Sequence, residues 1–322
     1  MVQAQTSLEW LLAGFKYDLE STTRPKTVKY YCGEISRFLQ WVDAAGVPSD
    51  IRLLTKHHIQ AFFHHLITIG GDGSVNEPVA IERLRWPYYR ALRRFFGWAV
   101  NEGYLQNSPM EDIKLKAPQL TPIEPYRPEH ISRILKALDY DSQIAKTQRQ
   151  KMLSARNRAV FLLFLESGLR LEELARLRLE DIDLGRRRVV IRHGKMGKSR
   201  LSGFGPQTRK ALWKYLSLRP QQINHDALWI TEEGAPLTIG GVQMIIRRLK
   251  KDAGLQHVKG SVHKLRHTFA TTYLRHTCDM KGCRLLLGHS TLAMTERYTQ
   301  FIEVEDALKA YDEKGPLDWI KG

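Results

Sequence analysis

The chain has little cysteine, no long apolar run and fewer acidic than basic residues. Three cysteines in 322 residues give no disulfide framework, and so sparse a set is typical of a reducing compartment. The longest apolar run, near residues 159–165, is far too short to cross a bilayer, and Glu9 interrupts the apolar residues at the start. Neither a membrane span nor a secretory signal is therefore predicted, and we expect a cytoplasmic protein.

Positive charge is what the chain has in excess. Lys and Arg number 50 against 34 Asp and Glu, for a formal net charge of +16 and a pI near 9.8. This balance indicates a polyanionic partner, most commonly nucleic acid, although some basic proteins carry such charge only for solubility. The length exceeds one typical domain, which predicts two.

A cluster of prolines divides the sequence. Pro118, Pro122, Pro125 and Pro128 fall within eleven positions, which excludes a continuous helix and predicts an extended connector. We predict a helical DNA-binding domain at 1–114, a linker at 115–127, a second domain at 128–302 and a C-terminal tail at 303–322.

Periodicity predicts a mainly α fold with a small antiparallel β-sheet in the second domain (α+β). In the first domain Thr27, Tyr31, Ile35 and Phe38 recur at helical intervals, and Pro87 is expected to start or kink a later helix. In the second, ARNRAVFLLFLESG reads as a buried helix ended by its last glycine, and RRVVIRHG and KSRLSGFG read as two strands joined by a basic turn.

Several residues have side chains suited to phosphate chemistry. His263 and Arg266 share one helix face, where a guanidinium can clamp phosphate oxygens while an imidazole moves a proton. Arg170 follows a helix break with Glu173 one turn on, and Lys195 lies at the tip of the hairpin. Each has an ordinary alternative: a core histidine, an exposed ion pair and a solvated turn lysine.

Two other chemistries fit poorly. The Gly-Lys-Ser at residues 197–199 imitates the end of a P-loop, but Arg192 stands where that motif needs glycine. Cys278 and Cys283 with His276 do not have the usual spacing of a zinc site, and no aspartate cluster suggests two magnesium ions. No metal and no cofactor are predicted.

Taken together, the motifs SGLRLEEL, GKMGKSR, HKLRH and LLGHSTLAMTERY resemble those of the tyrosine recombinase family, also called the phage integrase family. Their order fits, as do the 23 residues from Arg266 to His289 and the nine from there to Tyr298. The first half resembles the family's helical core-binding domain more loosely, through RALRRFFGWAVNEG and the residues around Tyr31.

The resemblance implies a two-domain DNA clamp and a metal-free, ATP-free site-specific recombinase. Tyr298 would be the nucleophile that forms a 3′-phosphotyrosyl link, and Lys195 the general acid. Arg170 and Arg266 would clamp the phosphate, His289 would donate to it, His263 would take the tyrosine proton, and Glu173 would support the site. Fixed cations suit this chemistry, because a free tyrosine has a pKa near 10 and is a poor nucleophile.

The implied partner is a double-stranded DNA recombination site, bound by a tetramer, with a possible accessory directionality factor and no membrane. The tail at 303–322 would dock on a neighbouring subunit or on its own domain. Two other functions stay open: a catalytically silent DNA-binding protein with this fold, and a type IB topoisomerase. The candidate DNA contacts are basic residues of both domains: Lys26, Lys29, Arg83, Arg85, Arg90, Arg93, Arg94, Lys198 and Arg200.

Overall fold

The computed structural model describes residues 6–69, 78–118, 124–192, 199–258, 260, 262–301 and 306. The chain divides into two units, Met1–Thr121 (unit 1) and Pro122–Gly322 (unit 2). In the described residues, no helix is both long enough and apolar enough to cross a membrane.

Unit 1 is built from helices whose apolar residues recur every three or four positions. Its elements are α1 (Leu8–Thr22), α2 (Pro25–Ala44), a 3₁₀ turn (Ile51–Leu53), α3 (Lys56–Ile69) and α4 (Pro78–Asn101). Helices α1 and α2 pack against each other and against α4, and α3 also packs on α4. Aromatic rings fill the core: Phe15 meets Phe95 edge-on at 5.4 Å between centroids, and Phe38 meets Phe62 at 5.0 Å.

The stripe predicted on α2 is confirmed at Tyr31, Ile35 and Phe38, all of which are buried, although it begins at Val28 and not at Thr27. Pro87 was expected to start or kink a helix, and the first alternative is wrong, because α4 begins nine residues earlier and runs through it. A kink at Pro87 stays a prediction. The ring removes one helical N–H donor. The Tyr30 hydroxyl donates to the Pro87 carbonyl at 3.1 Å, so a contact with α2 supports the helix at that point.

Unit 2 contains the remaining elements. They are α5 (Pro128–Ile144), α6 (Gln148–Ser167), α7 (Leu171–Ala175), a 3₁₀ turn (Leu179–Asp181), β1 (Ile182–Asp183), β2 (Arg188–Ile191), β3 (Arg200–Gly203), α8 (Pro206–Leu218), α9 (Ile239–Asp252), α10 (His263–Thr277), α11 (Met280–Leu287), α12 (Ala293–Glu296) and a 3₁₀ turn (Thr299–Phe301). The mainly α class with a small antiparallel sheet is confirmed.

Helix α6 is the centre of unit 2. Twelve of its 20 residues are buried, which is the pattern of a helix surrounded on all sides, and it packs against α5, α8 and α10. It begins with a capping box, in which the Gln150 N–H donates to Thr147 Oγ1 and the Thr147 N–H to Gln150 Oε1. Its predicted end at Gly168 is confirmed.

The sheet has three antiparallel strands in the order β1-β2-β3. The two predicted strands pair with Ile191 opposite Arg200, so Arg200 is the first residue of β3 after the connecting turn. That turn, with Lys195, lies outside the described residues. The edge strand β1 has only two residues, too short for any periodicity to show it.

Two further predicted segments are covered in part. The described residues of the linker, 115–118 and 124–127, form neither helix nor strand. The predicted tail lies outside the described residues except for Asp306, whose carboxylate pairs with Arg275 of α10 at 3.5 Å.

Candidate active site

Two glycines in left-handed backbone conformations end helices near the middle of unit 2. Gly168 (φ 60°) ends α6 and Gly288 (φ 64°) ends α11. A Cβ on Gly168 would also collide with the ring of Phe269, so both backbone and space exclude a side chain. The last carbonyl groups of a helix lack helical partners and carry partial negative charge, so these two ends can hold a cation.

Arg266 of α10 is that cation. Its Nη1 donates to the Gly168 carbonyl at 2.5 Å and its Nη2 to the Leu287 carbonyl at 2.6 Å, which fixes a buried guanidinium between the two helix ends. Burial, and then the charges of Arg170 and Arg200, lower the pKa of Arg266 to about 10, so it stays charged at neutral pH. Within the described residues its hydrogen-bond partners are carbonyl groups, and its charge is available to an anion.

A second guanidinium is held by Glu173. The Arg170 N–H donates to Glu173 Oε2 at 2.7 Å, Arg170 Nη1 donates to Oε1 at 2.9 Å, and Arg170 Nη2 donates to the Gly288 carbonyl at 3.2 Å. The same carboxylate accepts from Arg200 Nη1 at 2.8 Å and Nη2 at 2.7 Å. One carboxylate therefore positions two arginines from different elements, α7 and β3.

The carboxylate of Glu173 stays ionised because of these partners. Burial by itself would raise its pKa, but the hydrogen bonds and charge of Arg200, followed by those of Arg170, outweigh it and lower the pKa to about 2. Arg200 is further fixed by donation from Nε to the Leu286 carbonyl at 2.9 Å. In this structure Arg200 contacts Glu173 and a backbone carbonyl within the site, and its direct contact with DNA stays a prediction.

His289 follows Gly288 and lies among the cations. Its Nδ1 is 2.9 Å from Thr295 Oγ1, and its ring stacks against Tyr298 at 6.1 Å and 11°. Burial, and then the charges of Arg266, Arg170, Arg297 and Arg200, lower the pKa of His289 to about 3. The ring is therefore neutral at physiological pH in this arrangement.

Tyr298 is enclosed, with 1% of its surface exposed. Its hydroxyl accepts from Arg297 Nη2 at 3.0 Å, and the same guanidinium lies over the phenol ring at 5.0 Å. The His267 ring is 5.2 Å from the phenol on another side. Burial, followed by neighbouring positive charges, lowers the pKa of His267 to about 4.

The predicted catalytic residues are thus placed as follows. Four of them converge around the ends of α6 and α11: Arg170, Glu173, Arg266 and His289. The phenol of Tyr298 stacks on the His289 ring beside them. His263 is exposed in the first turn of α10. Lys195 and Lys198 lie outside the described residues. The role assigned to each of these residues remains a prediction.

Sequence reasoning missed four contributions to this site. They are the pairing of Arg200 with Glu173 and the contacts of His267, Thr295 and Arg297 around His289 and Tyr298. Helical spacing was the available signal for Thr295, which stands three residues before Tyr298, and adjacency was the signal for Arg297. No spacing rule points to Arg200, because its partner is 27 residues away on another element.

In unit 1 two basic residues of α4 are held by tyrosine side chains. Arg93 donates to the Tyr89 hydroxyl at 2.9 Å, and the Arg94 guanidinium lies over the Tyr31 ring of α2 at 4.9 Å. The other candidates there differ in exposure: Lys26, Lys29, Arg83 and Arg90 are exposed, whereas Arg85 is half-buried. These contacts order two cationic groups on α4. Contact of any of the candidate residues with DNA stays a prediction.

Comparison with known proteins agrees with this geometry. The model of the Phage integrase family matches residues 126–303, which is more than half of the chain. The chain belongs to the phage integrase family. The model of the family's N-terminal SAM-like domain matches residues 11–104. The predicted membership in the tyrosine recombinases is therefore confirmed.

Individual relatives are tyrosine recombinases. The chain is 28% identical over 319 residues to tyrosine recombinase XerC 2 of Ralstonia nicotianae, covering 95% of this chain and 83% of that protein. It is 33% identical over 271 residues to tyrosine recombinase XerC of Alcanivorax borkumensis, covering 82% and 80%. Among solved structures, the post-cleavage complex of XerH site-specific recombinase with palindromic difH substrate aligns with a TM-score of 0.70 at 20% identity, covering 95% of this chain and 84% of that chain.

Proposed function

We propose that this integrase-family recombinase cuts and rejoins double-stranded DNA at a specific site through a covalent bond between Tyr298 and a DNA 3′ phosphate. The observation that carries the proposal is the convergence of two fixed guanidinium groups, Arg170 and Arg266, with the His289 ring beside the Tyr298 phenol. These are the groups that phosphoryl transfer without a metal requires, because they supply fixed positive charge and hydrogen-bond donors.

In the proposed cleavage step, one phosphorus–oxygen bond forms as another breaks. The Tyr298 oxygen attacks the phosphorus as its proton passes to a base, for which we propose His263. The bond to the 5′ oxygen breaks, and Lys195 gives that oxygen a proton, so a free 5′-hydroxyl leaves. Arg170 and Arg266 hold the non-bridging oxygens meanwhile. The phosphotyrosyl ester keeps the bond energy, so a 5′-hydroxyl from either duplex can reverse the reaction without ATP.

The fixed arginines suit a phosphate that changes charge during reaction. Arg266 is held by carbonyl groups at two helix ends, and Arg170 by Glu173 and Gly288, so neither needs to reorganise when the DNA arrives. The phenol is the part that has to move. With 1% exposure, Tyr298 meets a phosphate only after the segment that follows α12 shifts.

We propose that four copies act together. Each chain carries one Tyr298 and cuts one strand, and the exchange of two duplexes requires four cuts. Unit 1 would strengthen DNA binding through contacts between the basic residues of α2 and α4 and the phosphate backbone. An accessory protein that sets direction is compatible with this scheme.

The test uses a pool of duplexes with a nick beside a randomised core. A cut near the nick releases a short 5′ fragment, and the covalent adduct is trapped. On a denaturing gel we expect a slow, protease-sensitive band for the wild type and for Tyr273→Phe, a matched control on α10, and none for Tyr298→Phe. Sequencing the trapped DNA identifies the site.

The same assay separates the two other functions. Tight binding of selected DNA with no adduct from any nicked duplex would indicate a catalytically silent binding protein. Relaxation of supercoiled DNA by a monomer, with no exchange between duplexes, would indicate a topoisomerase.

A further inference from the structure

The hydrogen bond between His289 and Thr295 is a buried polar contact beside Tyr298. His289 Nδ1 and Thr295 Oγ1 are 2.9 Å apart, and the two residues are 6% and 0% exposed. Thr295 belongs to the short helix α12, three residues before Tyr298, and its backbone N–H donates to the Leu292 carbonyl at 2.7 Å. Its position relative to the histidine is therefore set by local backbone structure.

The direction of this hydrogen bond follows from counting donors and acceptors. A neutral imidazole carries one proton, on Nδ1 or on Nε2, and a threonine hydroxyl has one hydrogen to give. If Nδ1 carried the proton and donated, the buried hydroxyl hydrogen would need another acceptor. Within the described residues Thr295 Oγ1 has no hydrogen-bond partner other than His289. A buried unpaired donor is costly, so the hydroxyl donates and Nδ1 accepts.

The proton of the neutral ring is then on Nε2. We propose that Thr295 is a positioning residue, which fixes His289 in the Nε2–H form so that the ring presents a donor to a non-bridging oxygen of the scissile phosphate. This inference rests on the proposed recombinase function. In the other tautomer, Nε2 would turn a lone pair toward the phosphate oxygen and repel it.

The neighbouring charges agree with a neutral ring. A second proton on His289 is disfavoured by burial and by the charges of four arginines: Arg266, Arg170, Arg297 and Arg200. The tautomer of the neutral ring therefore decides whether Nε2 is a hydrogen-bond donor or an acceptor. Thr295 itself does not touch the phosphate but controls the His289 ring, which does, as the hydrogen-bond partner of a catalytic histidine commonly does.

The first test reads the tautomer directly and does not need activity. In protein labelled with ¹⁵N-histidine, with the His289 signal assigned by its loss in His289→Gln, we expect a protonated Nε2 and an unprotonated, hydrogen-bonded Nδ1. Thr295→Val should remove this pattern, and Thr295→Ser should retain it. A wild-type signal with the proton on Nδ1 would overturn the proposal whether or not the protein cuts DNA.

The second test measures the single-turnover rate of adduct formation on the selected nicked duplex. Thr295→Val should slow it about 10- to 100-fold, the range expected when a hydrogen bond to a charged group is lost. Thr295→Ser should restore most of the rate. Thermal unfolding of each variant shows whether the fold is retained.

A double variant separates positioning from packing. An indole N–H can only donate, so His289→Trp has no tautomer for Thr295 to choose. In that background, adding Thr295→Val should change the rate by less than about twofold, whereas a packing role would give the same loss in both backgrounds. If His289→Trp is inactive, the ¹⁵N experiment decides. Absence of an adduct in the wild type would contradict the recombinase proposal but leave the tautomer result standing.

Discussion

Replacing Glu173 with glutamine should both loosen unit 2 and slow DNA cleavage. The substitution keeps the shape of the side chain but removes the charge that two arginines share. The amide oxygen can still accept from one of them, but the amide NH₂ meets the donors of the other. Arg200, which is mostly buried, would then keep its charge without a carboxylate partner.

The size of the effect follows from the pKa. Lowering the pKa of Glu173 from 4.5 to about 2 corresponds to about 3 kcal/mol of stabilisation, taking 1.36 kcal/mol per pKa unit. Because the folded-state pKa is the lower one, this contribution is fully present above pH 4.5 and is lost as the pH falls toward 2. The variant should therefore unfold about 3 kcal/mol more easily at pH 7 and approach the wild type as the pH falls to about 2.

Urea unfolding at pH 7, monitored through the hydrogen exchange of peptides from α6 and α10, measures this loss of stability in unit 2. The matched control is Glu172→Gln, an exposed neighbouring carboxylate, which should change the free energy of unfolding by less than about 0.5 kcal/mol. A second change, Arg200→Met, should recover part of the stability lost in Glu173→Gln, because it removes the unpaired charge. Wild-type stability and wild-type adduct formation in Glu173→Gln would refute the reasoning.

Three further outcomes are expected. Gly168→Ala should destabilise unit 2 in urea unfolding by more than the ~1–2 kcal/mol that a left-handed backbone costs, because the new methyl group collides with the ring of Phe269. The control is Gly33→Ala, where the space around the new methyl group is open. Arg297→Gln should slow adduct formation about five- to tenfold, because the phenol oxygen loses a charged donor. A faster variant would show that Arg297 restrains the tyrosine. The lowered pKa of His267 keeps its ring neutral in the folded state, so the free energy of unfolding falls by about 3 kcal/mol as the pH falls from 6.5 toward 4. His267→Phe should remove this loss in urea unfolding. Parallel curves of unfolding free energy against pH for the variant and the wild type would contradict it.

Much of the fold could be predicted because local patterns determine it. The stripe on α2 and the glycine that ends α6 each depend on residues close in sequence, and both are confirmed. The alternative that a helix starts at Pro87 failed because a proline signals a break locally, while the hydrogen bond from Tyr30 supports the helix through it. Strand β1 was missed since two residues have no period.

The site could be predicted as a set of residue types and not as a geometry. The motifs identify Arg170, Arg266 and His289 as candidates. They do not reveal that the helix ends at Gly168 and Gly288 hold the Arg266 guanidinium, because that contact joins three separate helices. The pairing of Arg200 with Glu173 was not predicted, since the local spacing of residues carries no information on long-range pairs, and the predicted contact of Arg200 with DNA stays a prediction.

The central claim is that Tyr298 becomes covalently bound to DNA. Trypsin should cut after Arg297 and Lys309, giving the peptide YTQFIEVEDALK, in which Tyr298 is the sole tyrosine. After trapping on the nicked duplex and nuclease digestion, mass spectrometry should find a nucleotide joined through its 3′ phosphate to this peptide, at the tyrosine. The account predicts that adduct in the wild type and its loss in Tyr298→Phe. An adduct on another residue, or an adduct that persists in Tyr298→Phe, would contradict it.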